Sequence, residues 1–271
     1  MSETAAEPAP PASITLRRFL ALFGPGLVGV VALALTIAID PAGLPPELAD
    51  LPPLTLAALV AVQPTLLLAV AVLLGLYAAP RVGFRSHLLD RVTHGTPLLE
   101  GCGSELKPAI GLGVLAGVLI VVAEPLLAPT PPAAPETEAT VRAVLATVPL
   151  RFLYGGITEE LLLRWGFMSV LAFGLWRTVG RGAGDLSDGL AWAAVVAAAV
   201  LFGIGHLPNA LVVYGELTTE VVVWIVVGNA IGGIAFGWLY WRHSNEAAMV
   251  AHAMAHVVFV SVSLVAIGSS P

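Results

Sequence analysis

The residues Glu159, Glu160, Arg164, His206, His252 and His256 stand in otherwise apolar sequence, at spacings that would let them do chemistry together. An ionisable group in an apolar span is costly to bury, so it must be paired or put to use. In "GGITEELLLRWG" (155–166), Glu160 and Arg164 are four residues apart. On a helix they share a face, with the carboxylate on the favourable N-terminal side, and can neutralise each other. Glu159 is rotated about 100° away at 3.6 residues per turn and has no partner in its own helix. "AHAMAH" (251–256) repeats the i, i+4 spacing with His252 and His256, where two imidazoles can share a metal or one bound oxygen. "LFGIGHLPN" (201–209) ends an apolar run on His206, four residues after Phe202. A carboxylate with several imidazoles is a kit for activating water. The carboxylate takes a proton from water attacking a carbonyl, and imidazole N–H groups or a metal stabilise the oxyanion that develops. No covalent nucleophile is required. Arg151 reads as a structural cation near a helix break.

These residues need helices to hold them. The chain has 271 residues, 58% hydrophobic and 11% charged, with a mean hydropathy of +0.91. Soluble domains carry about 25% charge. Apolar runs fall at 18–39, 55–78, 108–128, 142–177, 189–206, 220–241 and 246–268, and about 20 residues suffice to cross a bilayer. The fold expected is all-α: a polytopic bundle of seven spans enclosing an intramembrane cavity. The fourth run is too long for one crossing, so Gly155–Gly156 is read as a break. Residues 142–154 would then be an interfacial helix or an eighth span. Arg17 and Arg18, the loop after the second run, Arg177 with Arg181, and Arg242 alternate with acidic loops. By the positive-inside rule the N-terminus is cytoplasmic, in a multi-pass protein of the plasma membrane. Residues 1–16 read as a disordered tail, 17–140 as the first transmembrane helices, 129–140 as a stiff linker, and 141–268 as the catalytic core. Loop 80–107, with His87 and His94, reads as a solvated cytoplasmic loop with an amphipathic turn. A net charge of −6 offers no patch for nucleic acid, and the single cysteine, Cys102, excludes an internal disulfide.

"EELLLR" (159–164), "FGIGH" (202–206) and "HAMAH" (252–256) resemble, in order, the EExxxR, FxxxH and HxxxN motifs of the CPBP intramembrane proteases, also called the Abi or CAAX-protease family. The resemblance covers about 140–265. It implies a helical membrane fold with a conical cavity and an endopeptidase acting on a membrane-associated peptide, lipidated or not. Tails of the CAAX type and bacteriocin processing are the family precedents. It further implies that Glu159 and His206 activate water, that His252 holds the oxyanion, and that Glu160 and Arg164 support them. The third motif departs from the family at His256, where Asn is usual. His256 either donates to the oxyanion in place of the amide or joins Glu159, His206 and His252 as a ligand of Zn²⁺.

Two other classes use the same residues: a His- and Glu-lined cation or proton transporter, and a membrane immunity or scaffold protein without protease activity. "GAGD" (182–185) has the form of an intramembrane aspartyl protease motif. It lacks a Tyr-Asp partner and reads as a cytoplasmic turn. No HExxH and no GxSxG is present. A straight α-helix puts Glu159 about 27 Å from Arg177, but His252 only about 10 Å from Asn245. If those ends mark one membrane surface, some helices must tilt or extend for the site to assemble.

Overall fold

The computed structural model describes residues 13–41, 44, 46–98, 102–130 and 140–269. The expected tail up to residue 12 and most of the 129–140 linker lie outside the described residues. The long helices are α1 (Leu16–Ile39), α2 (Pro53–Ala78) and, after the short α3 (His87–His94), α4 (Leu106–Leu127). A one-and-a-half-turn α5 (Val141–Ala146) leads into a broad helix, built of π segments Leu150–Glu159 and Leu161–Met168 and completed by α6 (Ser169–Thr178). Then come α7 (Asp188–Gly205), α8 (Leu207–Tyr214), α9 (Thr219–Arg242) and α10 (Asn245–Ser269). No strand occurs among the described residues.

Local signals explain the helix starts. The Thr15, Thr140 and Thr218 hydroxyls each accept from the backbone N–H three residues on, capping α1, α5 and α9. Pro53 opens α2, where its missing N–H is not needed. Six helices among the described residues are long and apolar enough to cross a membrane. The chain is a multi-pass helical bundle, and its surface shows why. Leu54, Leu126 and Val265 are 82%, 77% and 70% exposed, whereas Glu160 and Arg164 are 0% exposed. Apolar side chains face outward and charge is kept inside, the arrangement a lipid solvent demands.

The fourth apolar run is the exception to the span pattern. Gly155–Gly156 does not break it, because both glycines lie within the π segment Leu150–Glu159 and the helix continues to Thr178. The interruption is earlier, at Thr147, whose hydroxyl is tied to Val144 O at 2.8 Å. The separate segment expected over 142–154 is therefore only α5. An i→i+5 ladder is wider than an α-helix and is typically met at functional sites. It also packs more residues into a given length, which shortens the climb from Arg177 to Glu159.

The broad helix is the axis of the bundle. Its first half packs on α1 and α10, and its second half on α2 and α7. α7 pairs with α9, α4 with α10, and α1 with α2. Polar groups on the axis are tied to neighbours: Thr158 Oγ1 donates to Gly26 O at 2.7 Å, and the Ser169 and Tyr240 hydroxyls meet at 2.7 Å.

The loop 80–107 is less solvated than expected. Glu246 caps α3, accepting from Ser86 Oγ at 2.6 Å, His87 N at 2.9 Å and Leu88 N at 3.1 Å. A carboxylate is favoured at a helix N-terminus. His87 is buried and contacts Glu105 Oε2 at 3.0 Å. The loop is thereby pinned to the start of α10. "GAGD" is a turn as expected, with Trp176 Nε1 donating to Gly184 O at 3.0 Å.

Candidate active site

The broad helix carries Glu159 and Glu160 on adjacent positions and sends them to different surroundings. Glu160 Oε1 accepts from Arg164 Nη1 at 2.9 Å and from His252 Nδ1 at 2.8 Å, with no exposed side-chain surface. The i, i+4 pair inferred from spacing is thus present and fully buried. Arg164 is held further by Gly233 O at 3.1 Å. Its guanidinium carbon lies 5.0 Å from the Phe202 ring centroid and 5.4 Å from that of Phe236, a favourable site for a cation. Glu159 instead retains 18% of its side-chain surface, with His252 Nε2 3.9 Å from its Oε2. That separation is an ion-pair distance, too long for a hydrogen bond.

α10 brings the histidines in. His252 is stacked between Phe236 (centroids 4.7 Å apart) and His256 (4.9 Å). Because a carboxylate can only accept, Nδ1 of His252 is the donor to Glu160, and Nε2 is the nitrogen free of that bond, on the side of Glu159. His206 ends α7 with Nδ1 donating to Phe202 O at 2.8 Å. A carbonyl also only accepts, so the free nitrogen of a neutral His206 is a lone pair on Nε2. The Phe202 ring meets His206 at 4.7 Å and His252 at 5.6 Å, edge to face in both cases. It therefore spaces the two imidazoles. His256 has Nδ1 buried without a hydrogen-bond partner among the described residues. A methyl group built on Gly155 would lie 2.7 Å from His256 Nε2. Gly155 is thus glycine for close approach of α10, which is the local role its sequence position had concealed.

Glu159, His206, His252 and His256 line one cavity of about 560 Å³, and Glu160 and Arg164 are buried behind its wall, tied to it through His252. Among the described residues no group of three or more His, Cys, Asp or Glu is arranged to hold a metal ion. The four expected Zn²⁺ ligands share the cavity without forming such a group. The cavity also takes in Arg151, Tyr154, Asn209 and Asn229, which motif spacing did not single out. Asn229 was findable as an amide within an apolar run, and Gly232–Gly233 as a small pair that lets α9 approach α7. Each deserved the same question as the histidines.

A family model described as type II CAAX prenyl endopeptidase Rce1-like matches residues 141–258. The matched segment begins at the first residue of α5 and ends within α10, so it contains Glu159, Glu160, Arg164, His206, His252 and His256. No curated protein and no solved structure matches the chain.

Proposed function

We propose, from the premise that this chain belongs through residues 141–258 to the Rce1-like CAAX prenyl endopeptidase family, that it is an intramembrane endopeptidase in which Glu159 and His206 activate the attacking water. The observation that carries this reading is the unequal treatment of two adjacent carboxylates. Glu160 is spent on Arg164 and His252, while Glu159 keeps cavity-facing surface beside the reactive nitrogen of His252.

In the sequence of events, water binds between Glu159 and Nε2 of His206 and attacks the carbonyl carbon of the scissile peptide bond. Its proton passes to Glu159, which gives a tetrahedral oxyanion. Nε2 of His252 donates to that oxyanion once the ring holds a second proton, because its Nδ1 proton is already committed to Glu160. The C–N bond then breaks as the proton on Glu159 moves to the departing amine, and the new carboxyl group passes its remaining proton to that amine, leaving a carboxylate and an ammonium. His256 packs against His252 and contributes Nε2 to the polar wall; Arg164, Phe202 and Phe236 position the imidazoles. A general base positioned in this way accelerates by about 10² to 10⁴, with the buried donors adding to it.

The enzyme has its cytoplasmic N-terminus and its basic loops on the same side of the plasma membrane, and residues 141–268 are its catalytic core. The substrate is a membrane-associated peptide, with a prenylated tail as the first candidate. The test is hydrolysis of a fluorescent S-farnesyl-Cys-Ala-Ala-Met peptide by the purified full-length chain. Release of the Ala-Ala-Met tripeptide supports the reading. Coupled proton or cation flux in sealed vesicles, without release, would replace it with the transporter.

A further inference from the structure

Arg151 sits on the π segment Leu150–Glu159 and lines the same cavity as Glu159. Its Nε donates to Thr147 Oγ1 at 2.9 Å, which anchors the stem. Among the described residues its two Nη atoms have neither a hydrogen-bond acceptor nor an anionic partner. The contrast with Arg164 is direct, since that guanidinium is neutralised by Glu160 and hydrogen-bonded to Gly233. The wall of the cavity that Arg151 lines is largely apolar, with Leu33, Ile120, Leu150, Leu162 and Leu201 contributing to it. A cation in such surroundings is unfavourable unless an anion joins it. Among the described residues no carboxylate pairs with it, Glu159 of the same cavity included, which leaves that place to an occupant of the cavity.

We propose that Arg151 is a specificity residue that binds the C-terminal carboxylate of the peptide substrate. Guanidinium is the side chain suited to this: its planar fork matches a carboxylate in bidentate fashion, and it stays charged in an apolar cavity. The proposal rests on the endopeptidase reading for one point, that the anion is carried by a peptide. A terminal carboxylate is the anionic group that every peptide has, whatever its side chains. An Asp or Glu side chain presents the same chemistry, and the experiment separates the two.

Binding is measured on the full-length Glu159→Gln protein in detergent, so that turnover does not intrude. The probes are the fluorescent S-farnesyl-Cys-Ala-Ala-Met peptide as free acid, the same peptide as C-terminal amide, and the amide of S-farnesyl-Cys-Ala-Glu-Met. The free acid is expected to bind about tenfold or more tighter than the plain amide, the usual range for a hydrogen bond to a charged group. Added Arg151→Gln abolishes that difference, while Arg151→Lys, which keeps the charge and loses the fork, retains part of it. Equal binding of acid and amide, failure to bind either, or an acid preference that survives Arg151→Gln overturns the proposal. So does binding of the Glu-containing amide as tight as that of the acid, which would assign Arg151 to a side chain. Hydrolysis by the chain with Glu159 intact is scored separately. An acid preference without hydrolysis would defeat the endopeptidase reading and leave the carboxylate site standing; hydrolysis without an acid preference would do the reverse.

Discussion

Glu160 Oε1 is shared between Arg164 Nη1 and His252 Nδ1 in a region with no solvent exposure. Removing one member of a buried pair leaves the other charge uncompensated, which typically costs about 3–5 kcal/mol. Arg164→Leu is therefore expected to lower the unfolding free energy in detergent by about that amount, whereas Glu159→Gln leaves it nearly unchanged. Equal losses for the two variants would show that Glu159 is as structural as its neighbour. The division between these carboxylates was legible from spacing alone, because helical rotation separates i from i+1 and aligns i with i+4. The link from Glu160 to His252 was not. It joins residues 92 positions apart, and no local pattern encodes which nitrogen of a distant imidazole will turn toward which carboxylate. Arg151 was legible as an intramembrane cation, but that it has no anionic partner among the described residues is visible only when its neighbours are in place.

The π segments are the element that sets the site. Along them consecutive glutamates diverge, one to buried Arg164 and His252 and one to the cavity, while Gly155 admits α10. Gly155→Ala places a methyl 2.7 Å from His256 Nε2. It is expected to cost about 1–3 kcal/mol through overpacking and to reduce peptide cleavage more than tenfold by displacing His252 and His256. Cleavage at the native rate with unchanged stability would mean that α10 is not held at this distance. Gly233 makes a related contact, since its added methyl would meet Ala199 Cα and Cβ at 2.8 Å. Gly233→Val should weaken the packing of α9 on α7, read as earlier thermal unfolding. Helix existence and type were readable from apolar run length, because lipid imposes it on every span. The π geometry was not readable. A glycine pair in an over-long run is equally compatible with a break and with a close helix crossing, and the choice depended on what packs against it.

At the scale of the molecule, the inside-out distribution of charge and the basic loops make an orientation testable with the native cysteine. Cys102 is the only one in the chain and lies between α3 and α4, in the loop assigned to the cytoplasm. Burial first, then the charges of Glu246 and Glu105, hold its thiol above the usual range. Less thiolate is therefore present at pH 7 than for an ordinary cysteine, and maleimide labelling should be slow there and rise with pH until it passes the raised value. An impermeant maleimide should label Cys102 in inverted vesicles and leave it unlabelled in intact cells; the opposite pattern would reverse the orientation. The bundle, its membrane setting and its three motif segments were open to inspection in one dimension, because hydropathy and short-range spacing record them. The pairing of α4 with α10 and of α7 with α9, and thus the wall of the cavity, came only from packing. Glu159 is proposed as the base for peptide hydrolysis. The most direct test places the native chain and Glu159→Gln in liposomes with the S-farnesyl-Cys-Ala-Ala-Met peptide and follows tripeptide release. Release should fall about 10² to 10⁴-fold in the variant, with its unfolding profile intact; undiminished release by folded Glu159→Gln would contradict the account.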